Sequence, residues 1–168
     1  SLNKLHLGEA DVWTIQEHKL LDDETINRLK TKLSKKGWKS FLPPALKTDK
    51  GAGSGGVGFI WKHYLDLAGP PVEVDRARSA LLHLRFRALG EVTIGSVYGF
   101  SGEGTEAHNL ELIHRAMGAA RGPKGDGSFI LGGDFNVNPN DLNPLLAQRH
   151  PHPYRLAVSG EATCFTYQ

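Results

Sequence analysis

The sequence predicts an α/β or α+β protein in which two mixed sheets pack face to face with helices outside. Helical stretches lie between groups of short apolar strands. The segments Ser79 to Phe86 and Val92 to Tyr98 meet near Gly90 and predict an antiparallel hairpin. With 168 residues, 39% of them hydrophobic and 23% charged, the chain is long enough for one ordinary core. We therefore expect a single domain over residues 1–168.

The first half of the chain alternates strand and helix. Val12, Trp13 and Ile15 predict a short buried strand. Asp22 or Asp23 caps the helix that follows, and Gly37 ends it. Its apolar residues recur at helical spacing and are Ile26, Leu29 and Leu33. The next predicted segments are a strand from Trp38 to Leu42 before Pro43-Pro44, a flexible loop from Lys47 to Gly56 and a strand from Val57 to Trp61.

The second half continues after the hairpin with a predicted helix from Thr105 to Ala120. Leu110, Ile113 and Met117 share one face of this helix. Arg121 to Gly127, reading RGPKGDG, is a linker that leads directly into the next strand. A short helix is predicted from Asp141 to Arg149.

The segment from Phe129 to Pro139, reading FILGGDFNVNP, is the most informative stretch of the chain. Side chains alternate along a strand, so Asp134 and Asn136 are expected to point the same way and Phe135 into the core. Gly132 and Gly133 would let a substrate or a second loop approach the backbone closely. Because Gly, Asp, Asn and Pro are also turn residues, a plain turn is the competing interpretation.

Other strand ends carry polar or glycine-rich chemistry as well. Gln16-Glu17 follows the first strand, which makes Glu17 a candidate metal ligand. Gly55-Gly56-Val57 opens another strand, and Tyr98 ends the second strand of the hairpin. This order of acid, Gly-Gly-Val, Tyr and Gly-Asp-Phe-Asn resembles the endonuclease/exonuclease/phosphatase superfamily, which includes deoxyribonuclease I, abasic-site endonucleases and endonucleases of non-LTR retrotransposons. The resemblance runs from about Asp11 to about Pro144.

The resemblance implies a four-layer α/β sandwich with the active site at one rim. It implies that Glu17 binds Mg²⁺, with Mn²⁺ as an alternative, and that Tyr98, Asp134 and Asn136 are catalytic. Where the family often has Pro and Asn after the tyrosine, this chain has Phe100 and Ser101. The family's first Asn-bearing strand and its C-terminal Ser-Asp-His segment are not found, so we expect an incomplete domain, truncated at both ends.

Several further residues are interpreted as structural. His150 and His152 are predicted to be solvated loop histidines, and the single Cys164 excludes an internal disulfide. Arg78 is expected to form a structural ion pair. Three acidic residues are expected on the surface or in turns, namely Asp66, Asp75 and Asp126. Gly51, Gly53 and Gly56 have dinucleotide-binding spacing, but they precede a strand, so no helix N-terminus is available for a pyrophosphate.

The net charge is only +2, but several positively charged residues crowd one segment. The crowded cations are Arg28, Lys30, Lys32, Lys35, Lys36 and Lys39. They either form a solvated helix face or steer nucleic acid toward a cleft.

The function that these features predict is metal-dependent phosphodiester hydrolysis, by a nucleic-acid endonuclease with DNA as the favoured partner. The alternatives are a phosphatase or phosphodiesterase acting on a lipid or small soluble phosphate, and a non-catalytic retroelement remnant. The longest apolar runs are strand-length, so no membrane partner is expected. An intracellular location, nuclear or cytoplasmic, is expected.

Overall fold

The computed structural model of the chain describes residues 10–102, 106–125, 127–138, 142 and 144. Residues 1–136 and 137–168 form two compact units, and all the elements below belong to the first. The predictions for His150, His152, Cys164, Asp126 and most of the helix from Asp141 to Arg149 lie outside the described residues. In chain order the elements are β1 (Val12–Ile15), α1 (Asp23–Ser34), β2 (Trp38–Phe41), β3 (Leu46–Lys47), β4 (Gly53–Ser54), β5 (Gly58–Lys62), β6 (Val72–Asp75), β7 (Ser79–Phe86), β8 (Gly90–Tyr98), α2 (Glu106–Arg121) and β9 (Ser128–Asp134).

The first sheet has the order β1-β5-β2, with both pairs antiparallel. Helix α1 covers its outer face because the apolar residues of the helix recur every three to four positions. The Asp22 side chain caps the helix by accepting a hydrogen bond from the Thr25 amide at 2.7 Å. The apolar cluster formed there comprises Ile15, Ile26, Leu29, Leu33, Trp38, Leu42 and Ile60.

The second sheet has the order β6-β7-β8-β9. Its first two pairs are antiparallel, whereas β8 and β9 are parallel. Parallel neighbours need a crossover connection, and helix α2 provides it. The register pairs Tyr98 with Asp134 at the adjacent ends of the two strands.

The two sheets pack face to face within the first unit. Alternation along β5 and β7 turns one set of apolar residues inward, and these form one cluster of Val57, Phe59, Trp61, Ala80, Leu82 and Leu84. On the outer face of the second sheet, Val97 packs with Leu112 and Ala116 of α2. The order helix, sheet, sheet, helix confirms the predicted α/β class and is the layering that a four-layer sandwich requires.

One local prediction is wrong, and two hold only in part. The loop from Lys47 to Gly56 contains the β3–β4 hairpin, because Leu46 pairs with Ser54 and Lys47 with Gly53. Asp75 has the predicted turn position, because it ends β6 and its carbonyl accepts from the Arg78 amide at 2.9 Å, but its carboxylate is no free surface group: it contacts Arg115 at 2.8 Å and accepts from the Ser79 hydroxyl at 3.0 Å. Ile113 and Met117 are buried on one face of α2, as predicted, whereas Leu110 is only half-buried, since the face that packs on the sheet is centred on Leu112, Ile113, Ala116 and Met117.

Other local predictions agree with the structure. The β7–β8 hairpin has the predicted antiparallel pairing and turns at Gly90, where Phe86 is paired with that glycine. Asp66 is exposed and lies 3.9 Å from Arg85, as expected of a surface residue. Among the described residues, no helix is both long and apolar enough to span a membrane.

Candidate active site

The ends of β8 and β9 place Tyr98 beside Asp134. The two residues are paired in the parallel register, so their side chains leave the sheet on the same face. The pairing continues past the strand end, where the Gly99 amide donates to the Asp134 carbonyl at 2.7 Å. The Tyr98 amide donates to the Arg78 carbonyl at 2.8 Å, which brings a third segment to the same corner.

Glu17 reaches this corner from the first sheet. After β1 the chain is held by two backbone hydrogen bonds, from His18 to Gly56 at 3.2 Å and from Lys19 to Gly55 at 3.1 Å. Both glycines have positive φ angles, and a Cβ on Gly55 would lie 2.7 Å from the Ala77 carbonyl oxygen. The Gly-Gly-Val segment therefore supports the backbone beside Glu17.

The charge of Glu17 is set by its neighbours. The Lys19 ammonium lies 3.0 Å from the Glu17 carboxylate. Hydrogen bonding from Lys19 is the main cause that lowers the pKa of Glu17. Burial is the next largest influence and opposes it, while the Tyr98 hydroxyl and the charges of Lys19 and Arg78 lower the pKa further. Glu17 is therefore ionised at neutral pH and offers a carboxylate at the corner.

The pKa of Tyr98 is shifted in the opposite direction, upward. Burial is the main cause that raises its pKa, and the hydrogen bond and charge of Glu17 and the charge of Asp134 add to it, while Arg78 opposes them. Tyr98 is therefore within electrostatic range of Glu17, Arg78 and Asp134. Tyr98 is consequently a neutral phenol that can donate a hydrogen bond.

We expect Tyr98 to titrate above the ordinary phenol pKa of 10.0. A raised pKa means that the protonated phenol stabilises the fold at lower pH, and that this stabilisation is lost as pH rises through the folded-state pKa. The difference in ultraviolet absorbance titration between the wild type and Tyr98→Phe isolates this group. Glu17→Gln should lower the Tyr98 pKa because it removes a neighbouring negative charge. A Tyr98 pKa at or below the ordinary value would contradict the arrangement.

Asn136 lies next to Asp134, but strand alternation is not the reason. Strand β9 ends at Asp134, and Asn136 has a left-handed backbone with φ of 49°. Its backbone amide donates to the Asp134 carboxylate at 3.3 Å, and its side-chain amide donates to the Gly99 carbonyl at 3.1 Å. Asn136 thus ties the turn after β9 to the loop after β8. Phe135 packs against the Val97 cluster, as predicted.

Gly133 is required by its own neighbour rather than by a substrate. Its φ is 155°, and a Cβ there would overlap the carbonyl oxygen of Val97 on β8. At Gly132 the closest atom to such a Cβ is in the Thr14 side chain, at 3.5 Å. The adjacent strand therefore fills the space of a side chain at Gly133, and the approach of a substrate or loop to its exposed backbone stays a prediction.

Asn109 is a site-supporting residue that the sequence analysis missed. It lies on α2 with its side chain fully buried. Its carbonyl oxygen accepts from the Phe100 amide at 2.6 Å, and its amide group donates to the Phe100 carbonyl at 2.9 Å and the Asn136 carbonyl at 3.2 Å. A polar residue at helical spacing from Leu112, Ile113 and Ala116 was the available signal.

Arg78 does not form the predicted ion pair. Within the described part of the chain, no carboxylate lies within 4.0 Å of its guanidinium. The group instead stacks 4.9 Å from the Tyr98 ring centre and 4.4 Å from that of Phe100, and donates to the Gly99 carbonyl at 3.2 Å. Its Nε is buried without a hydrogen-bond partner. A guanidinium beside Tyr98 that has no carboxylate within 4.0 Å in the described part of the chain suits an anionic ligand.

The donors present fit a magnesium-type ion better than a zinc-type ion. Among the residues that the structure describes, no three or more His, Cys, Asp or Glu side chains are grouped so that they could hold a metal ion by themselves. The corner instead offers the Glu17 carboxylate and, beside Tyr98, that of Asp134. Mg²⁺ commonly uses one or two carboxylates together with waters and substrate phosphate oxygens. The metal role of Glu17 and the catalytic roles of Tyr98, Asp134 and Asn136 stay predictions.

The last residue of the cationic segment, Lys39, lies away from this corner. Lys39 belongs to β2, whose first residue Trp38 pairs with Lys62 at one end of the first sheet. Glu17 follows Ile15, which pairs with Gly58 at the other end of β5. Lys39 therefore does not line the site, and Arg28 of the same segment already pairs with Glu24 at 2.8 Å.

Comparison with known proteins gives one family and a set of solved structures. A model described as "Endonuclease/Exonuclease/phosphatase family" matches residues 2–165. No curated protein matches the sequence.

The similar structures share little sequence with the chain. ANGEL2, a 2',3'-cyclic phosphatase in complex with adenosine-2',3'-vanadate, has 17% identity and a TM-score of 0.61, covering 83% of this chain and 44% of that one. The human Nocturnin catalytic domain with bound sulfate has 16% identity and a TM-score of 0.63, covering 82% and 56%. TDP2 from D. rerio with a single strand DNA product has 12% identity and a TM-score of 0.55, covering 80% and 51%. The chain thus spans about half the length of these proteins, and they show a shared fold.

Proposed function

The chain belongs to the endonuclease/exonuclease/phosphatase family, and from that premise we propose that it hydrolyses phosphodiester bonds with a bound divalent metal ion. We propose a nucleic acid as the substrate, with DNA favoured. The observation that carries the proposal is the set of groups around Tyr98: Asp134 is paired with it at the adjacent strand end, the Arg78 guanidinium lies 4.9 Å from its ring centre, and Glu17 is within hydrogen-bonding reach of its hydroxyl. Two carboxylates, a neutral phenol and a guanidinium around one corner suit the binding and hydrolysis of a phosphate ester.

Each residue has a proposed role in this chemistry. Glu17 would hold Mg²⁺, which when bound polarises the scissile phosphate. Asp134 would orient the attacking water or accept its proton, and the Asn136 backbone amide would keep that carboxylate in place. Tyr98 would donate a hydrogen bond to a phosphate oxygen, while Arg78 would balance negative charge on the phosphate.

The choice of a nucleic acid rests on less specific support. One of the similar proteins, TDP2, is described with a single strand DNA product, and another, ANGEL2, as a 2',3'-cyclic phosphatase. Both descriptions concern phosphate esters of nucleotides. Loops around a shared fold decide the substrate, so the fold alone does not separate DNA from RNA or a small phosphate ester.

The test compares substrates at equal concentration with Mg²⁺, with Mn²⁺ and with chelator. The substrates are supercoiled plasmid, single-stranded DNA, RNA, a nitrophenyl phosphodiester and the matching monoester. We expect metal-dependent cleavage of DNA and of the synthetic diester, abolished by chelator. Cleavage of the monoester alone would overturn the proposal in favour of a phosphatase. Turnover that persists in chelator would overturn the metal requirement.

A further inference from the structure

Lys19 is placed against the carboxylate that is proposed to hold the metal. Its ammonium lies 3.0 Å from the Glu17 carboxylate, with 56% and 44% of the two side chains exposed. Both residues have a left-handed backbone, with φ of 57° for Lys19 and 52° for Glu17. Such angles are uncommon for residues with side chains and persist only where surrounding contacts enforce them.

The surrounding contacts do enforce this backbone. The Lys19 amide is bound to the Gly55 carbonyl, and the His18 amide to the Gly56 carbonyl. The Lys19 carbonyl lies against Gly53 so closely that a Cβ on that glycine would overlap it. The ring of His18 packs against Gly56, where a Cβ would come within 2.6 Å of it. The His18 ring therefore faces Gly56. The backbone around His18 is fixed by these contacts, and this fixed backbone keeps Glu17 and Lys19 close to each other.

Other nearby cations cannot take the place of Lys19. Arg78 is held between the Tyr98 and Phe100 rings and bound to the Gly99 carbonyl, so its position is independent of Glu17. Lys47 is exposed and lies on β3, opposite Gly53 in the hairpin. No ion pair of Lys47 occurs in the described part of the chain. Lys47 is therefore a lysine in the neighbouring hairpin that makes no ion pair with Glu17.

An ammonium and a divalent cation compete for the same carboxylate oxygens. We propose that Lys19 is the internal counter-ion of Glu17, which a divalent cation must displace, and that it thereby sets the metal affinity of the site. This inference rests on the proposed function, because it assigns the metal to Glu17. The proposal predicts that removing Lys19 strengthens metal binding, which is counter-intuitive for a residue beside an active site.

The experiment measures Mg²⁺ binding directly, by titration calorimetry at constant ionic strength, without any substrate. Lys19→Met keeps the length of the side chain and removes its charge. We expect it to bind Mg²⁺ about two- to fivefold more tightly than the wild type, in line with the modest strength of an exposed ion pair. Lys19→Arg should bind Mg²⁺ no more tightly than the wild type, because a guanidinium can pair with a carboxylate through two hydrogen bonds.

The controls separate the two proposals. Lys47→Met removes a charge of the same sign nearby and should leave the affinity within about 1.5-fold, because surface charges act weakly through solvent. Glu17→Gln should abolish binding in both the wild-type and the Lys19→Met backgrounds. Equal affinities of the wild type and Lys19→Met, with Glu17→Gln still abolishing binding, would overturn the Lys19 proposal alone. Binding that survives Glu17→Gln, or is absent from every variant, would overturn the metal assignment and the counter-ion role with it.

Discussion

Replacing Asp134 with asparagine is expected to reduce phosphodiester hydrolysis by about 10²- to 10⁴-fold, the range that a positioned proton acceptor contributes. Asparagine has nearly the same shape as aspartate but cannot accept a proton from water. Its side-chain oxygen can still accept the Asn136 backbone amide, which contacts the Asp134 carboxylate at 3.3 Å. The substitution therefore removes the chemistry of the group and keeps its local support. The ratio of kcat/KM values on a synthetic diester measures the loss.

A matched control for this variant is Asp66→Asn. Asp66 is exposed and its nearest cationic partner, Arg85, is 3.9 Å away, so the same chemical change there should leave hydrolysis unaltered. Thermal unfolding of both variants should match that of the wild type within a few degrees. Asp134→Asn protein that is folded and retains most of its activity would exclude Asp134 as the proton acceptor and leave it, at most, a structural residue.

Replacing Gly133 with alanine is expected to lower the free energy of unfolding by about 2–5 kcal/mol, from backbone strain and steric overlap together. Its φ of 155° disfavours any side chain, and a Cβ would overlap the Val97 carbonyl oxygen. That carbonyl belongs to β8, which pairs with β9 through Val97 and Gly133. Relief of the overlap must move the strand ends that carry Tyr98 and Asp134, so activity should fall together with stability.

The adjacent glycine provides the control for this prediction. A Cβ on Gly132 would lie 3.5 Å from the Thr14 side chain, which is an ordinary contact, and its backbone has no positive φ. Gly132→Ala should therefore unfold at a denaturant concentration close to that of the wild type. The comparison uses equilibrium denaturation of both variants. Similar losses of stability in the two variants would mean that the strand tolerates no side chain at either position. The overlap with the Val97 carbonyl would then not be the cause of the loss at Gly133.

Periodicity and turn chemistry were sufficient for most of the elements. The alternation of Ser79 to Phe86 predicted β7 with the bounds that it has. The cap at Asp22 and the apolar spacing of Ile26, Leu29 and Leu33 predicted α1. These signals are readable because they depend on neighbours a few residues apart. The two-residue strands β3 and β4 and the strand β6 were missed, since very short or half-exposed strands have little period to detect.

Some residues of the candidate site could likewise be predicted from the sequence and others could not. Glu17, Tyr98 and Asp134 could be proposed from sequence because each follows or ends an apolar strand, and a strand end directs its side chain into a cleft. The roles of Arg78 and Asn109 could not be predicted, because their partners lie on other elements. Asn109 binds the Phe100 amide and the Asn136 carbonyl, which are 9 and 27 positions away. Arg78 stacks on the Tyr98 ring at the end of β8.

What the sequence by itself determined is therefore the set of strands and helices and the chemical character of the groups at their ends. Only the tertiary structure decided which groups meet and how they are charged. The left-handed backbone of Glu17 and Lys19, which puts an ammonium on the proposed metal ligand, is enforced by Gly53, Gly55 and Gly56 from a distant segment. Local preference disfavours such a backbone for both residues, so it exists only because long-range packing and hydrogen bonds outweigh that preference.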